Sequence, residues 1–201
     1  MDAIKKEAIR YLGYGAHEVD ESTSACIDEC FIELQEVSSC RHIYNIFPLV
    51  VKGKLVTMEA LHVESKSLAD NLRGCEHCFL FAATLGSEVD RLMRRYQSTQ
   101  VSKATVLQAC ATAYLEDYLD KVSVMMWKSE EMDYPRCELY PRFSPGYGDF
   151  DLSKQGELVQ LMDATRRLGL SLTKGGMLVP LKSITAVIGI GPIRKEQHEV
   201  V

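Results

Sequence analysis

The segment Arg142-Phe-Ser-Pro-Gly-Tyr147-Gly-Asp149 is the most informative part of this 201-residue sequence. It combines an arginine, two aromatic residues, a proline and two glycines, which predicts a loop rather than a helix or strand. Proline restricts φ, while glycine lets the backbone approach a ligand closely. Polar and aromatic side chains on a rigid loop are more often functional than those on a helix face.

The side chains of this loop suit a small ligand that carries a carboxylate and a flat ring. The guanidinium of Arg142 can hold a carboxylate with two charge-assisted hydrogen bonds. Tyr147 offers a stacking face and a hydroxyl. A purely structural loop, in which Arg142 pairs with Glu138 or Asp149, is the alternative. The residues alone leave both hypotheses open.

The segments that follow the loop are predicted from their periodicity. Apolar spacing predicts a helix over residues 153–168, and Thr173-Lys-Gly-Gly176 predicts a turn. Residues 177–180 and 183–190 are rich in β-branched and apolar residues, which predicts strands. Gly189-Ile-Gly191 follows a strand, but no helix of sufficient length comes after it, so it does not make a dinucleotide-binding fingerprint.

Helices and a hairpin are predicted before the loop. Residues 1–11 and about 20–37 have helical periodicity, and Asp20 or Ser22 can cap the second helix. Residues 41–51 and 55–58 flank a Lys-Gly turn, which predicts a β-hairpin. The other predicted elements are a short helix over 66–73, a buried strand over 78–83, a helix over 88–96 capped by Ser87, and the longest helix, from a Ser102 cap to about Trp127.

These elements predict an α+β fold with a mixed or antiparallel sheet and packed helices, because strands and helices interleave irregularly. We expect a single domain over residues 1–201, with a helical N-terminal part at 1–37 and an α+β body at 38–201. The sequence has no phosphate-binding P-loop, nucleophile elbow, zinc-protease motif or kinase signature. General motifs therefore assign no activity.

Composition argues against several classes of function. The formal net charge of −5 disfavours nucleic-acid binding, which needs a concentrated basic face. No apolar run is long enough to span a membrane, and Met1-Asp-Ala-Ile-Lys-Lys-Glu lacks the apolar core of a signal peptide. We expect a cytoplasmic protein that binds neither nucleic acid nor membrane.

The seven cysteines fit reduced thiols in a reducing compartment. Cys26 and Cys30 are spaced for one helix face, and Cys75-Glu-His77-Cys78 forms a C-x-x-C. A zinc site needs a second pair at matching spacing, which the sequence lacks. We predict no metal site and thiols that pack as small apolar groups. A redox or metal pair is the alternative.

The pattern Arg-x-x-x-Gly-Tyr, formed by Arg142, Gly146 and Tyr147, resembles the S-adenosylmethionine-binding signature of the reactivation domain of cobalamin-dependent methionine synthase. The likeness extends over most of the chain and includes Leu152-x-x-Gln155 and residues 177–186. It implies that Arg142, Gly146, Tyr147 and the backbone of Phe143 contact S-adenosylmethionine. The full-length enzyme usually has Gly-Tyr-Pro where this chain has Gly-Tyr147-Gly-Asp149.

The resemblance implies a module that has no catalytic residues of its own. It would bind S-adenosylmethionine, dock on a separate cobalamin-binding methionine synthase and support reductive remethylation of cob(II)alamin. The cobalamin belongs to the partner, and a flavodoxin-like protein is the expected electron donor. The chain would thus be a subunit or activation module of a methyltransferase. Its alternative role is as a scaffold or reactivation protein for another corrinoid-dependent methyltransferase, without S-adenosylmethionine binding in the scaffold case.

Glu116 is a further candidate for the ligand site. It lies on the predicted apolar helix, where a carboxylate normally needs a partner. One hypothesis is a contact with the amino group of the ligand. The other is a buried ion pair with an arginine or lysine.

Overall fold

The computed structural model describes residues 2–15 and 19–194. The helices are α1 (Asp2–Tyr11), α2 (Glu21–Val37), α3 (Lys66–Asn71), α4 (Ser87–Thr99), α5 (Val101–Glu130), α6 (Gln155–Leu161) and α7 (Ala164–Leu168). The strands are β1 (Arg41–Lys52), β2 (Leu55–Met58), β3 (Leu61–Glu64), β4 (His77–Thr84), β5 (Cys137–Leu139), β6 (Ser171–Leu172), β7 (Leu178–Val179) and β8 (Ser183–Pro192). The α+β prediction is confirmed.

Residue contacts group the chain into two compact units. The first unit comprises Met1–His42, Ala83–Ser123 and Leu168–Ile184. The second comprises Ile43–Ala82, Val124–Arg167 and Thr185–Val201. The predicted helical part at 1–37 falls within the first unit, which also takes in later segments. The expectation of a single domain stays a prediction.

The principal sheet lies mainly in the second unit. Among the described residues its strand order is β3-β2-β1-β4-β8-β5. The predicted hairpin is confirmed, with Val51 opposite Val56 in antiparallel register. β3 adds to it, also antiparallel. Sequence periodicity missed β3 because Leu61-His-Val-Glu is too short to establish an alternation, although its burial alternates cleanly.

β4 and β8 are neighbouring, largely buried strands of this sheet. β4 is buried over almost its whole length, as its uninterrupted apolar run predicted. Most of β8 is buried as well. β5 pairs antiparallel with β8 and holds the chain that leads into the Arg142 loop. The sheet therefore positions the loop predicted to bind a ligand.

Two predicted helix caps are wrong. Ser87 is the first residue of α4, and Gly86 with φ +91° is the cap. The Gly86 amide donates to the Thr84 hydroxyl at 3.0 Å, and the helix begins directly after Gly86. α5 begins at Val101, which places Ser102 inside the helix. There the carbonyl of Gln100 accepts from the Ala104 amide at 2.9 Å and starts the helix.

The predicted helix over residues 153–168 is also wrong in its continuity. A 3-10 turn at Leu152–Lys154 leads into α6, and α7 starts after a break. Asp163 makes the break, because its φ is +52°. Aspartate tolerates the left-handed region better than most residues, and its carbonyl then accepts from the Arg167 amide at 3.0 Å. With neither glycine nor proline at this point, the sequence carried no breaker signal.

No helix in the described part of the chain is both long enough and apolar enough to cross a bilayer. The cytoplasmic compartment stays a prediction.

Candidate functional site

The Arg142 loop is fastened to β8 by its backbone. The Phe143 amide donates to the Val187 carbonyl at 2.9 Å, and the Val187 amide donates back at 2.8 Å. The Phe143 ring stacks on Phe150, with ring centroids 6.4 Å apart and an interplanar angle of 18°. Phe150 is almost completely buried. These contacts fix both ends of the loop in the second unit.

Hydrogen bonds within the loop close it into a compact turn. The Gly146 amide donates to the Phe150 carbonyl at 2.7 Å, and the Phe150 amide donates to the Tyr147 carbonyl at 3.0 Å. Gly146 has φ +92° and Gly148 has φ +53°. A Cβ at Gly148 would lie 2.6 Å from the Ser67 Oγ. Glycine is therefore required at position 148 both for its conformation and for close packing.

Asp149 joins the loop to the start of α3. Its carboxylate accepts from the Ser65 hydroxyl at 2.5 Å, the Lys66 amide at 2.8 Å and the Ser67 amide at 2.9 Å. The Ser65 hydroxyl, followed by the amides of Ser67 and Lys66, holds the pKa of Asp149 well below its usual range. Hydrogen bonds to the charged form of a carboxyl group have this effect.

Sequence reasoning missed this anchor. A serine before a helix is a recognisable cap, and the Ser65 Oγ does accept from the Leu68 amide at 3.0 Å. No local signal connects Ser65 with Asp149, which lies 84 positions later. Asp149, which belongs to the Gly148-Asp149 departure from the Gly-Tyr-Pro pattern, thus has a structural use in this chain.

Arg142 and Tyr147 are the loop side chains that the sequence predicts to contact a ligand. Tyr147 is 65% exposed. Arg142 is half-buried. Glu138 accepts from the Arg194 amide at 2.9 Å, and Asp149 accepts from residues 65–67. Pairing of Arg142 with either carboxylate stays a prediction. The loop therefore carries an exposed aromatic ring and a half-buried guanidinium.

Glu116 lies on α5 in the first unit and is half-buried. The pKa of the Tyr11 hydroxyl is raised by burial and then by the negative charge of Glu116. Glu116 therefore lies close enough to α1 to influence a side chain there. Its contact with a ligand amino group stays a prediction, since Arg142, Phe143, Gly146 and Tyr147 belong to the second unit.

The cysteines are free thiols, and Cys30, Cys75, Cys78 and Cys110 are buried. Burial raises the pKa of Cys75 to about 11 and that of Cys78 to about 12. Thiols with raised pKa values are poor nucleophiles at neutral pH. The described residues contain no group of three or more histidine, cysteine or acidic side chains placed to hold a metal ion.

Asp149→Asn is expected to loosen the join between the loop and α3. The amide group keeps one acceptor oxygen and loses the other, so hydrogen exchange at Lys66 and Ser67 should accelerate at least about tenfold. Because the pKa of Asp149 is lowered on folding, its stabilising contribution is present above the unfolded-state pKa, about 3.9, and is lost as the pH falls through the folded-state pKa. The stability difference between wild type and variant should shrink below about pH 4.

Asp151→Asn is the matched control, because Asp151 accepts from the Ser153 amide at 2.8 Å and, among the described residues, makes no hydrogen bond to α3. Amide exchange measured by NMR should leave Lys66 and Ser67 protected in this variant. Equal acceleration in both variants would contradict the anchor.

Comparison with known proteins gives a fold and no sequence family. No protein-family model and no curated protein sequence matches the chain. Among solved structures, the chain is similar to the crystal structure of the MetH reactivation domain bound to AdoHcy, with a TM-score of 0.62 and 14% sequence identity. The match covers 88% of this chain and 69% of that one. At this identity the likeness concerns the fold alone: the chain has a fold similar to that of the MetH reactivation domain.

Proposed function

We propose that this chain binds S-adenosylmethionine through the Arg142 loop and docks on a separate cobalamin-binding methionine synthase to support reductive remethylation of cob(II)alamin. The observation that carries the proposal is the similarity of fold, over most of the chain, to a domain crystallised with AdoHcy. S-adenosylhomocysteine differs from S-adenosylmethionine by one methyl group. A site for one is therefore a reasonable site for the other.

The loop residues have distinct roles in this proposal. The Arg142 guanidinium holds the ligand carboxylate, and the exposed Tyr147 ring stacks against the adenine. The open backbone at Gly146 admits the ligand closely. The Phe143 amide already donates to Val187, so a backbone contact from Phe143 uses the second lone pair of its carbonyl.

The chain would contribute binding and orientation rather than acid–base chemistry. The corrinoid of the partner supplies the nucleophile, and S-adenosylmethionine supplies the methyl group. By holding the sulfonium in a fixed direction, the anchored loop would reduce the entropy lost on reaching the reactive geometry. A flavodoxin-like protein is the proposed electron donor. In this role the chain is an activation module of a methyltransferase, with Glu116 a candidate contact for the amino group of the ligand.

A second candidate function is that of a scaffold or reactivation protein for another corrinoid-dependent methyltransferase, in the scaffold case without S-adenosylmethionine binding. The departure at Gly148-Asp149 from the Gly-Tyr-Pro of the full-length enzyme favours it, because it changes the ligand-binding loop and adds a negative charge there. The Phe143 amide favours it too, because it already donates to the Val187 carbonyl and is not available to a ligand.

Calorimetric titration separates these candidates. Wild type titrated with S-adenosylmethionine, and separately with S-adenosylhomocysteine, is expected to bind saturably at micromolar to low-millimolar concentrations. The first function is excluded if neither ligand binds, either to the chain alone or to its mixture with the cobalamin module of a methionine synthase. Co-purification with such a module tests docking independently of the ligand.

Arg142→Ala is expected to weaken ligand binding at least about tenfold, because a bidentate charge-assisted contact is lost. Circular dichroism and the unfolding midpoint should change little. Arg166→Ala is the matched control, since Arg166 is an exposed arginine of the same unit paired with Asp163 at 2.5 Å. Normal binding by Arg142→Ala would remove this residue from the site, and weakened binding by both variants would point to a nonspecific charge effect.

A further inference from the structure

The first unit contains a cavity of about 300 Å³ that the proposed function does not use. It is lined by residues of α1, α2 and α5 and by Cys40, which directly precedes β1. Its volume is at the lower end of the range for ligand sites, about 300–1,000 Å³. A small molecule is therefore the appropriate class of occupant.

The inner wall of the cavity is apolar and aromatic. Phe31 is 3% exposed and forms its buried side, and Ile4 is half-buried. Tyr114 and Tyr118 add half-buried rings from α5. A ligand side chain placed here would be removed from water and would contact carbon atoms on several sides.

The polar groups beside this wall are uncharged at neutral pH. The Tyr118 hydroxyl is hydrogen-bonded to the Nδ1 of His42 at 2.8 Å, which fixes the phenol. Burial lowers the pKa of His42 and raises that of Tyr118 to about 12. Burial also raises the pKa of the Cys40 thiol. Burying a full charge against these groups would be costly.

The charges that line the cavity lie on its exposed side and are of opposite sign. Lys121 Nζ is 2.6 Å from Asp117 Oδ2, and the two side chains are 73% and 36% exposed. Exposed pairs spaced four residues apart on a helix are weak, so a ligand that offers both charges can separate them at little cost. A ligand with one charge would leave either Asp117 or Lys121 without its partner.

We propose that this cavity binds a free amino acid with an apolar side chain. The ligand ammonium pairs with Asp117, and the ligand carboxylate pairs with Lys121. The side chain enters the apolar wall formed by Ile4, Phe31 and the tyrosine rings. Opposite charges beside an uncharged pocket match a zwitterion better than a phosphate, a simple amine or a simple acid.

The test is an NMR titration of the whole chain with L-leucine and L-phenylalanine, following backbone amides of α1, α2 and α5. Both are expected to cause saturable shifts, with dissociation constants on the order of 1 mM. Phenethylamine lacks the carboxylate and 3-phenylpropionate lacks the ammonium, so each should bind at least about fivefold more weakly than phenylalanine. Equal binding of these analogues, or no shifts at about 10 mM amino acid, would overturn the proposal.

Variants locate the site. Asp117→Asn and Lys121→Gln should each weaken amino acid binding roughly tenfold and leave the fold unchanged, because both side chains are on the surface of α5. Lys54→Gln is the control, since it disrupts an exposed pair, Lys54–Glu64 at 2.5 Å, in the second unit. Unchanged affinity in both α5 variants would place any binding elsewhere and sink the assignment.

Discussion

Gly189→Ala is expected to lower the free energy of unfolding by about 2–3 kcal/mol. A Cβ at this position would lie 2.6 Å from the Cys75 Sγ and 2.8 Å from a methyl carbon of Leu72. Both neighbours are buried, so neither can turn out into solvent. Overpacking forces side chains from their rotamers or shifts the backbone, and here β8 would have to move between β4 and β5. Urea unfolding followed by circular dichroism measures the effect.

A double variant tests the cause. Cys75→Ala removes the closest atom, so adding it to Gly189→Ala should recover part of the lost stability, although Cys75→Ala alone is destabilising. Gly175→Ala is the control, because its Cβ would meet nothing closer than 3.9 Å. Wild-type stability in Gly189→Ala, or additive losses in the double variant, would show that this contact is not the reason for glycine.

Similar contacts explain two glycines to which the sequence assigned no role. Gly189-Ile-Gly191 resembles a fragment of a nucleotide-binding fingerprint, but no helix follows it. A Cβ at Gly191 would lie 2.8 Å from the Cys75 Sγ and 2.9 Å from the Tyr140 ring. Alternate residues of a strand share a face, so both glycines admit the same close neighbours. The partners come from distant segments, and sequence spacing therefore could not identify this role.

Local signals predicted the elements that depend on local physics. Apolar periodicity located α1, α2 and α5, and the Lys-Gly turn located the β1–β2 hairpin. The failures occurred at helix starts and breaks, where the backbone conformation departs from what the residue types indicate. Asp163 breaks a helix without a breaker residue, and the predicted cap at Ser102 gave way to the Gln100 carbonyl.

The candidate site also has features that the sequence predicted and features that it could not predict. Composition alone placed Arg142, Gly146 and Tyr147 on a loop, and the structure has no helix or strand at these positions. What holds the loop could not be predicted, because Asp149 reaches Ser65 and Phe143 reaches Val187 across long separations in sequence. Whether the loop binds S-adenosylmethionine stays a prediction.

The stability advantage of wild type over Cys78→Ala is expected to shrink by about 2 kcal/mol between pH 9 and pH 10.5. Cys78 is fully buried in β4, and burial, followed by the charge of Cys75, raises its pKa to about 12. In the unfolded chain the thiol ionises near its ordinary value, about 8.5–9. A raised folded-state pKa contributes stability that is complete below the unfolded-state pKa and is lost as the pH rises towards the folded-state pKa.

The difference between wild type and variant must be measured, because another buried group changes the stability with pH in the opposite direction. Burial lowers the pKa of Lys182 to about 8, so between about pH 8 and 10.5 the unfolded chain holds more protons at this lysine and stability rises with pH. Ala82→Gly, a buried change in the same strand that carries no proton, should differ from wild type by a constant amount. Urea unfolding under argon with a reductant prevents disulfide formation from obscuring the result. If the Cys78→Ala difference also stays constant up to pH 10.5, the thiol ionises in the folded protein as readily as in the unfolded chain, and β4 is more accessible to water than its burial indicates.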